Sequence, residues 1–84
     1  MEFSKHALEK LKLYGLDTDI VREALKTSKV TECADTLKGS KIVVVTIDGK
    51  FFSVVIKEQV VITVYRTDLK KLNSRRRSKR WNCY

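Results

Sequence analysis

Asp48 and Gly49 stand between two runs rich in β-branched residues, Lys41–Ile47 and Lys50–Lys57. An Asp-Gly pair is what a two-residue hairpin connection needs. Both central positions of its tight turn take positive φ, and glycine does so without steric cost. The turn also sets register: Ile47 faces Lys50, Val45 faces Phe52 and Val43 faces Val54. Because side chains alternate along a strand, Val43, Val45, Phe52 and Val54 then share one face. A chain committed to this ribbon must lay something apolar on it.

The preceding residues supply that layer. Residues 4–14 read as a helix, with Ser4 as N-cap and Gly15 where a left-handed C-terminal cap is wanted. At helical spacing Phe3, Ala7, Leu8, Leu11 and Tyr14 fall on one face, while Lys5, Glu9 and Lys12 point away. His6 and Lys10, one turn apart, lie along one border of the apolar face, neither fully buried nor freely solvated. A second helix begins at Asp17, with Asp19 in its first turn and Leu16 and Val21 placed as a hydrophobic staple. Ile20, Val21, Ala24 and Leu25 form its inward stripe, and the pattern fades at Thr27 and Ser28. Val30 to Asp35 reads as an edge strand, and Gln59 to Arg66 as a last strand after a tight turn near Lys57 and Glu58. No glycine declares that turn's type, so its register stays open. The expected fold is α+β: two N-terminal helices packed on one face of a four-stranded antiparallel sheet, the other face partly open.

Charge divides the chain unevenly. From Arg66 to Tyr84 there are eight Lys or Arg residues against one acid, a charge of +7, whereas residues 1–65 carry +1. Such an end suits a polyanion, because neutralising phosphates releases condensed counterions. Residues 1–66 therefore read as the α+β domain and residues 67–84 as a basic tail or short helix. Thr67 or Asp68 is placed to cap that helix, which would carry Leu69 and Leu72. The candidate nucleic-acid ligands are Lys70, Lys71, Arg75, Arg76, Arg77, Lys79 and Arg80, with Trp81 as a stacking platform for a base. RNA or DNA is the expected partner. The bland reading is a solvated tail that contacts nothing specific.

The longest unbroken apolar run is Ile42 to Val45. It is too short for a membrane span, and Glu2, Lys5 and His6 occupy the place of a secretory leader's apolar stretch. A cytoplasmic protein with no membrane partner is the expectation. Cys33 and Cys83 have neither CxxC spacing nor histidine neighbours suited to zinc, so neither metal nor cofactor is implied; a pairing of Cys83 with Cys33 or between chains stays open, and two free thiols are the favoured expectation.

Several segments together resemble a known family. These are Phe3-Ser4-Lys5-His6-Ala7, Tyr14-Gly15-Leu16-Asp17, Val21-Arg22-Glu23-Ala24-Leu25 and Val61-Ile62-Thr63-Val64-Tyr65. In order and spacing they resemble the domain-of-unknown-function family 4258, usually placed with RelE-, ParE- and BrnT-like toxins. The resemblance runs over residues 3–66 and spares the basic tail. It implies a RelE-like fold, a relation to metal-independent ribonucleases and an antitoxin protein as natural partner. The family's His-Ala-x-x-Arg pattern is matched by His6 and, conservatively, Lys10, and its strand-end Thr and Tyr by Thr63 and Tyr65. Members often have a basic residue before the glycine; here Tyr14 stands there.

Metal-free RNA cleavage needs a group to take the 2′-hydroxyl proton, one to protonate the leaving oxygen, and cations on the developing charge. His6, Lys10, Tyr65 and Arg66 are the candidate catalytic set: His6 as base, Lys10 and Arg66 as phosphate ligands, Tyr65 as donor. A single histidine excludes a two-histidine pair, and no carboxylate pair, Ser-His-Asp order or glycine-rich phosphate loop appears. The leading expectation is a RelE-like endoribonuclease toxin. The alternatives are a non-catalytic nucleic-acid-binding module and a protein-interaction domain whose tail binds an acidic partner. Against the catalytic set, a border histidine is commonly an ordinary surface residue, Thr63 and Tyr65 are good strand formers, and Arg66 reads equally well as part of the tail.

Overall fold

Ser4 and Gly15 bound the first helix by the chemistry their positions require. The computed structural model describes residues 2–35, 38–68, 70–71, 73–74 and 81–83, Trp81 and Cys83 by backbone alone. Helix α1 spans Lys5–Tyr14. Ser4 Oγ accepts the Ala7 N–H at 3.1 Å. Gly15 adopts φ 69°, its N–H meets the Lys12 carbonyl, and the Leu16 N–H reaches back to the Leu11 carbonyl at 2.9 Å. That closure folds Leu16 back onto the core that holds Leu11. Helix α2, Thr18–Thr27, starts where the Asp17 carboxylate accepts the Ile20 N–H at 2.9 Å. Ala7 and Leu11 of α1 and Val21 and Ala24 of α2 are buried. Ile20, expected in the inward stripe, is instead 41% exposed.

The helices lie on a six-stranded mixed sheet, not the four-stranded antiparallel sheet expected. Its strands are β1 (Glu2–Phe3), β2 (Lys29–Asp35), β3 (Lys41–Ile47), β4 (Lys50–Lys57), β5 (Val60–Thr67) and β6 (Trp81–Cys83), in the spatial order β1-β5-β4-β3-β2-β6. The α+β class stands. The two additions are end strands of two and three residues, too short to show alternation in sequence, so only their partners define them. β1 pairs parallel with β5, Phe3 beside Val61. β6 pairs antiparallel with β2, so β2 is interior rather than an edge.

The central hairpin has the expected register, Ile47 opposite Lys50 and Val43 opposite Val54, with Asp48 at φ 51° and Gly49 at φ 74°. The next turn is another two-residue connection, Glu58-Gln59, built without glycine at φ 53° and 66°. β5 carries one extra residue against β4: Val55 faces Thr63 and Ile56 faces Val61, leaving Ile62 as a bulge.

One sheet face packs under the helices through Val43, Val45, Val54, Val61 and Val64. The other is not left open as expected: Cys33, Ile42 and Val44 are buried there, with Phe51, Val55 and Tyr65 packed around them. The unbroken run from Ile42 to Val45 is the mark of a strand buried on both sides. Cys33 is not a free thiol; it is disulfide-bonded, and its cross-strand partner in register is Cys83. Directly opposed positions on antiparallel strands bring Cβ atoms within the range a disulfide spans. Among the described residues, no helix is long and apolar enough to cross a membrane.

Candidate nucleic-acid interface

β5 delivers Arg66 to the end of the sheet on the face that carries the helices. Arg66 stands directly opposite Phe52, whose ring meets Tyr14 edge-on at 5.5 Å. With Phe52 buried beneath, the guanidinium side chain is left exposed. One residue further Thr67 is buried, and Asp68 turns the chain: its carboxylate accepts the Lys71 N–H at 2.8 Å. This is the capping role expected of position 68. Arg66, Thr67, Asp68 and Lys71 line a shallow concavity of about 230 Å³. Lys70 and Lys71 are both exposed beside it. Two cations and one carboxylate around a hollow at the start of a +7 segment suit repeated phosphate contacts.

Arg75, Arg76, Arg77, Lys79 and Arg80 lie outside the described residues, as does the Trp81 side chain. The Trp81 backbone pairs with Asp35, so the distal end of the basic segment returns to the far edge of the sheet from β5.

The candidate catalytic residues are not brought together. His6 and Lys10 do line one border of α1, His6 exposed and Lys10 half-buried. Both sit on the helix side of the sheet. Tyr65 faces the other way, opposite Ser53 and packed against Cys33, Ile42 and Val44. Thr63, across from Val55, shares that second face. Arg66 is on the helix side but at the wrong end. The start of α1 is tied to the beginning of β5 by the Ser4 N–H to the Val61 carbonyl, 2.9 Å. Five residues of strand separate Val61 from Arg66, roughly 16 Å at ~3.3 Å per residue. His6 is therefore held at one end of β5 and Arg66 at the other, while Tyr65 is screened by the sheet.

Sequence reading missed the Ile62 bulge, and with it the second role of Ser4, whose Oγ donates to the Ile62 carbonyl at 3.0 Å. The Phe3-Ser4 segment marked the helix start, but nothing local signalled its attachment to a strand more than fifty residues away.

These features define the class: a two-helix α+β domain on a mixed sheet, with an exposed cationic end. The chain belongs to the family described as Domain of unknown function (DUF4258), whose pattern matches residues 3–66, from β1 almost to the end of β5. No curated protein and no solved structure matches the chain.

Proposed function

We propose that this protein binds a nucleic acid, RNA foremost, with Arg66, Lys70 and Lys71 as the first contacts of a cationic path continued by Arg75 to Arg80. The observation that carries this reading is the exposed Arg66–Lys71 hollow at the point where the +7 segment leaves the sheet. Arg66 suits bidentate contact with a phosphate, and the lysines act as compact point charges beside it. The body contributes a rigid sheet end rather than a charged groove, since residues 1–65 carry only +1.

A second reading, a RelE-like toxin that cleaves RNA without metal and is held by an antitoxin, rests on His6 and Lys10 sharing one exposed helix border. It has to work without Tyr65, which lies behind the sheet. One experiment separates the two. Labelled single-stranded RNA is incubated in EDTA with wild type, His6→Ala and the double variant Arg66→Glu/Lys71→Glu, and both cleavage and gel shift are followed. The binding reading expects intact RNA, a shift unaffected by His6→Ala, and a shift weakened in the double variant. Cleavage lost on His6→Ala would establish the ribonuclease instead. Absence of any shift in dilute buffer would end both.

A further inference from the structure

A second surface carries the opposite charge. Between α2 and the end of β3 runs an open groove of about 400 Å³. Its floor is apolar, made by Ile20, Ala24 and Ile47, and its rim carries Asp17, Asp19 and Glu23. Among the described lining residues there is no cation. The groove is fixed in place because the Thr46 N–H donates to the Ser28 carbonyl at 3.0 Å, tying the end of α2 to β3. Ile20, like Leu8 of α1, has a periodicity that points inward but stays exposed, and Ile20 lies in this groove.

The chemistry of the rim selects the occupant. Asp17 spends one oxygen on the Ile20 N–H, and Asp19 shares one with Arg22 at 3.3 Å across an exposed pair. Each keeps a second oxygen, and Glu23 is exposed. A purely apolar partner would cover these carboxylates and strip their water without replacing it, which is costly. A nucleic acid or an acidic peptide would be repelled. Apolar contact on the floor with cations above it satisfies both features.

We propose that this groove docks a basic peptide segment of a protein partner, an apolar side chain seated on Ile20, Ala24 and Ile47 with flanking Lys or Arg meeting Asp19 and Glu23. The proposal is independent of the nucleic-acid reading, whose cations lie around Arg66 and Lys71, none of which line this groove.

The test is fluorescence anisotropy with a labelled Lys-Arg-Leu-Leu-Lys-Arg peptide against the full chain at low ionic strength. An uncharged Ser-Gln-Leu-Leu-Gln-Ser peptide is the control. Glu23→Lys, at an exposed helical position, is expected to weaken the basic peptide by about tenfold. Glu9→Lys, which makes the same change in net charge on the exposed side of α1, is expected to leave it unchanged. Ile20→Ser should weaken it as well. Should Glu23→Lys melt early, Glu23→Gln serves in its place, with about threefold weakening expected. Equal weakening by Glu9→Lys, equal binding of the uncharged peptide or no effect of Glu23 substitution would overturn the proposal. So would sedimentation showing wild-type self-association that Glu23→Lys abolishes, which would give the groove to a second copy of this chain.

Discussion

The Ser4 hydroxyl donates to the Ile62 carbonyl at 3.0 Å while accepting the Ala7 N–H at 3.1 Å. One side chain thus caps α1 and binds the carbonyl of the bulged residue of β5. Ser4→Ala removes both bonds. The expected loss is about 2 kcal/mol, ~1 for the cap and ~1 for the second hydrogen bond, or a fall in Tm of about 10 °C. Ser4→Thr keeps the hydroxyl and should recover most of it. A melt that Ser4→Ala leaves unmoved would show that water replaces the hydroxyl at both places.

The two hairpin turns predict opposite signs. Gly49 at φ 74° sits where a β-branched side chain is strained, so Gly49→Val should cost about 1–2 kcal/mol. Gln59 already bears that strain at φ 66°. Gln59→Gly should relieve it, with a net gain of about 0.5–1 kcal/mol after the added freedom of the unfolded chain. Urea midpoints of the two variants check the pair; movement in the same direction would contradict it.

Ser53 is wholly buried between Val44 and Tyr65 in the pairing across β3, β4 and β5, and among the described residues its hydroxyl has no hydrogen-bond partner. An unmet buried hydroxyl costs more than an alanine methyl of nearly the same shape. Ser53→Ala should stabilise the fold by about 1 kcal/mol and raise Tm by about 5 °C. A lower Tm would mean that the hydroxyl does find a partner in solution.

The Cys33 disulfide holds the end of the chain to the sheet. Cys33 and its register partner Cys83 stand fifty positions apart. Opening a loop of about that length costs up to about 4 kcal/mol on the chain-entropy account. Reduction with excess dithiol, or Cys33→Ala, should lower Tm by well over 10 °C. Thiol titration before and after unfolding confirms the redox state. A melt insensitive to complete reduction would show that strand pairing alone holds β6.

For RNA binding, the slope of log affinity against log salt reports phosphate contacts, about 0.7 per contact for a single strand. Arg66→Gln and Lys71→Gln should each flatten the slope by about that amount. His6→Ala, on the far end of β5, should leave it alone. A slope changed by His6→Ala and not by Arg66→Gln would move the interface to α1.

Local chemistry was legible wherever a residue acts on its near neighbours. Ser4, Gly15 and Asp17 each declared a helix end, Thr67 and Asp68 stood as alternatives for one more, and Asp48-Gly49 declared a turn with its register, because those interactions close within a few residues. The turn near Lys57 and Glu58 was legible, but the type and register of Glu58-Gln59 stayed hidden because it uses two residues that tolerate positive φ poorly, so no composition signal marks them. Tyr65, from the resemblance, and Arg66, as a phosphate ligand, read as joint members of one site. Adjacency in a strand means opposite faces, and which face meets α1 depends on the bulge at Ile62.

The amino-acid order by itself determined the α+β class, the two helices, the central hairpin and the concentration of charge after Arg66, since each follows from periodicity, capping or composition. Only the tertiary structure decided that short end strands extend the sheet on both sides, that Cys33 is bonded, that Ile20 stays in a half-open acidic groove, and that His6, Tyr65 and Arg66 lie apart. Those outcomes depend on pairings between residues thirty to sixty positions distant, where the energy lies in the contact and neither partner alone carries a sign of it.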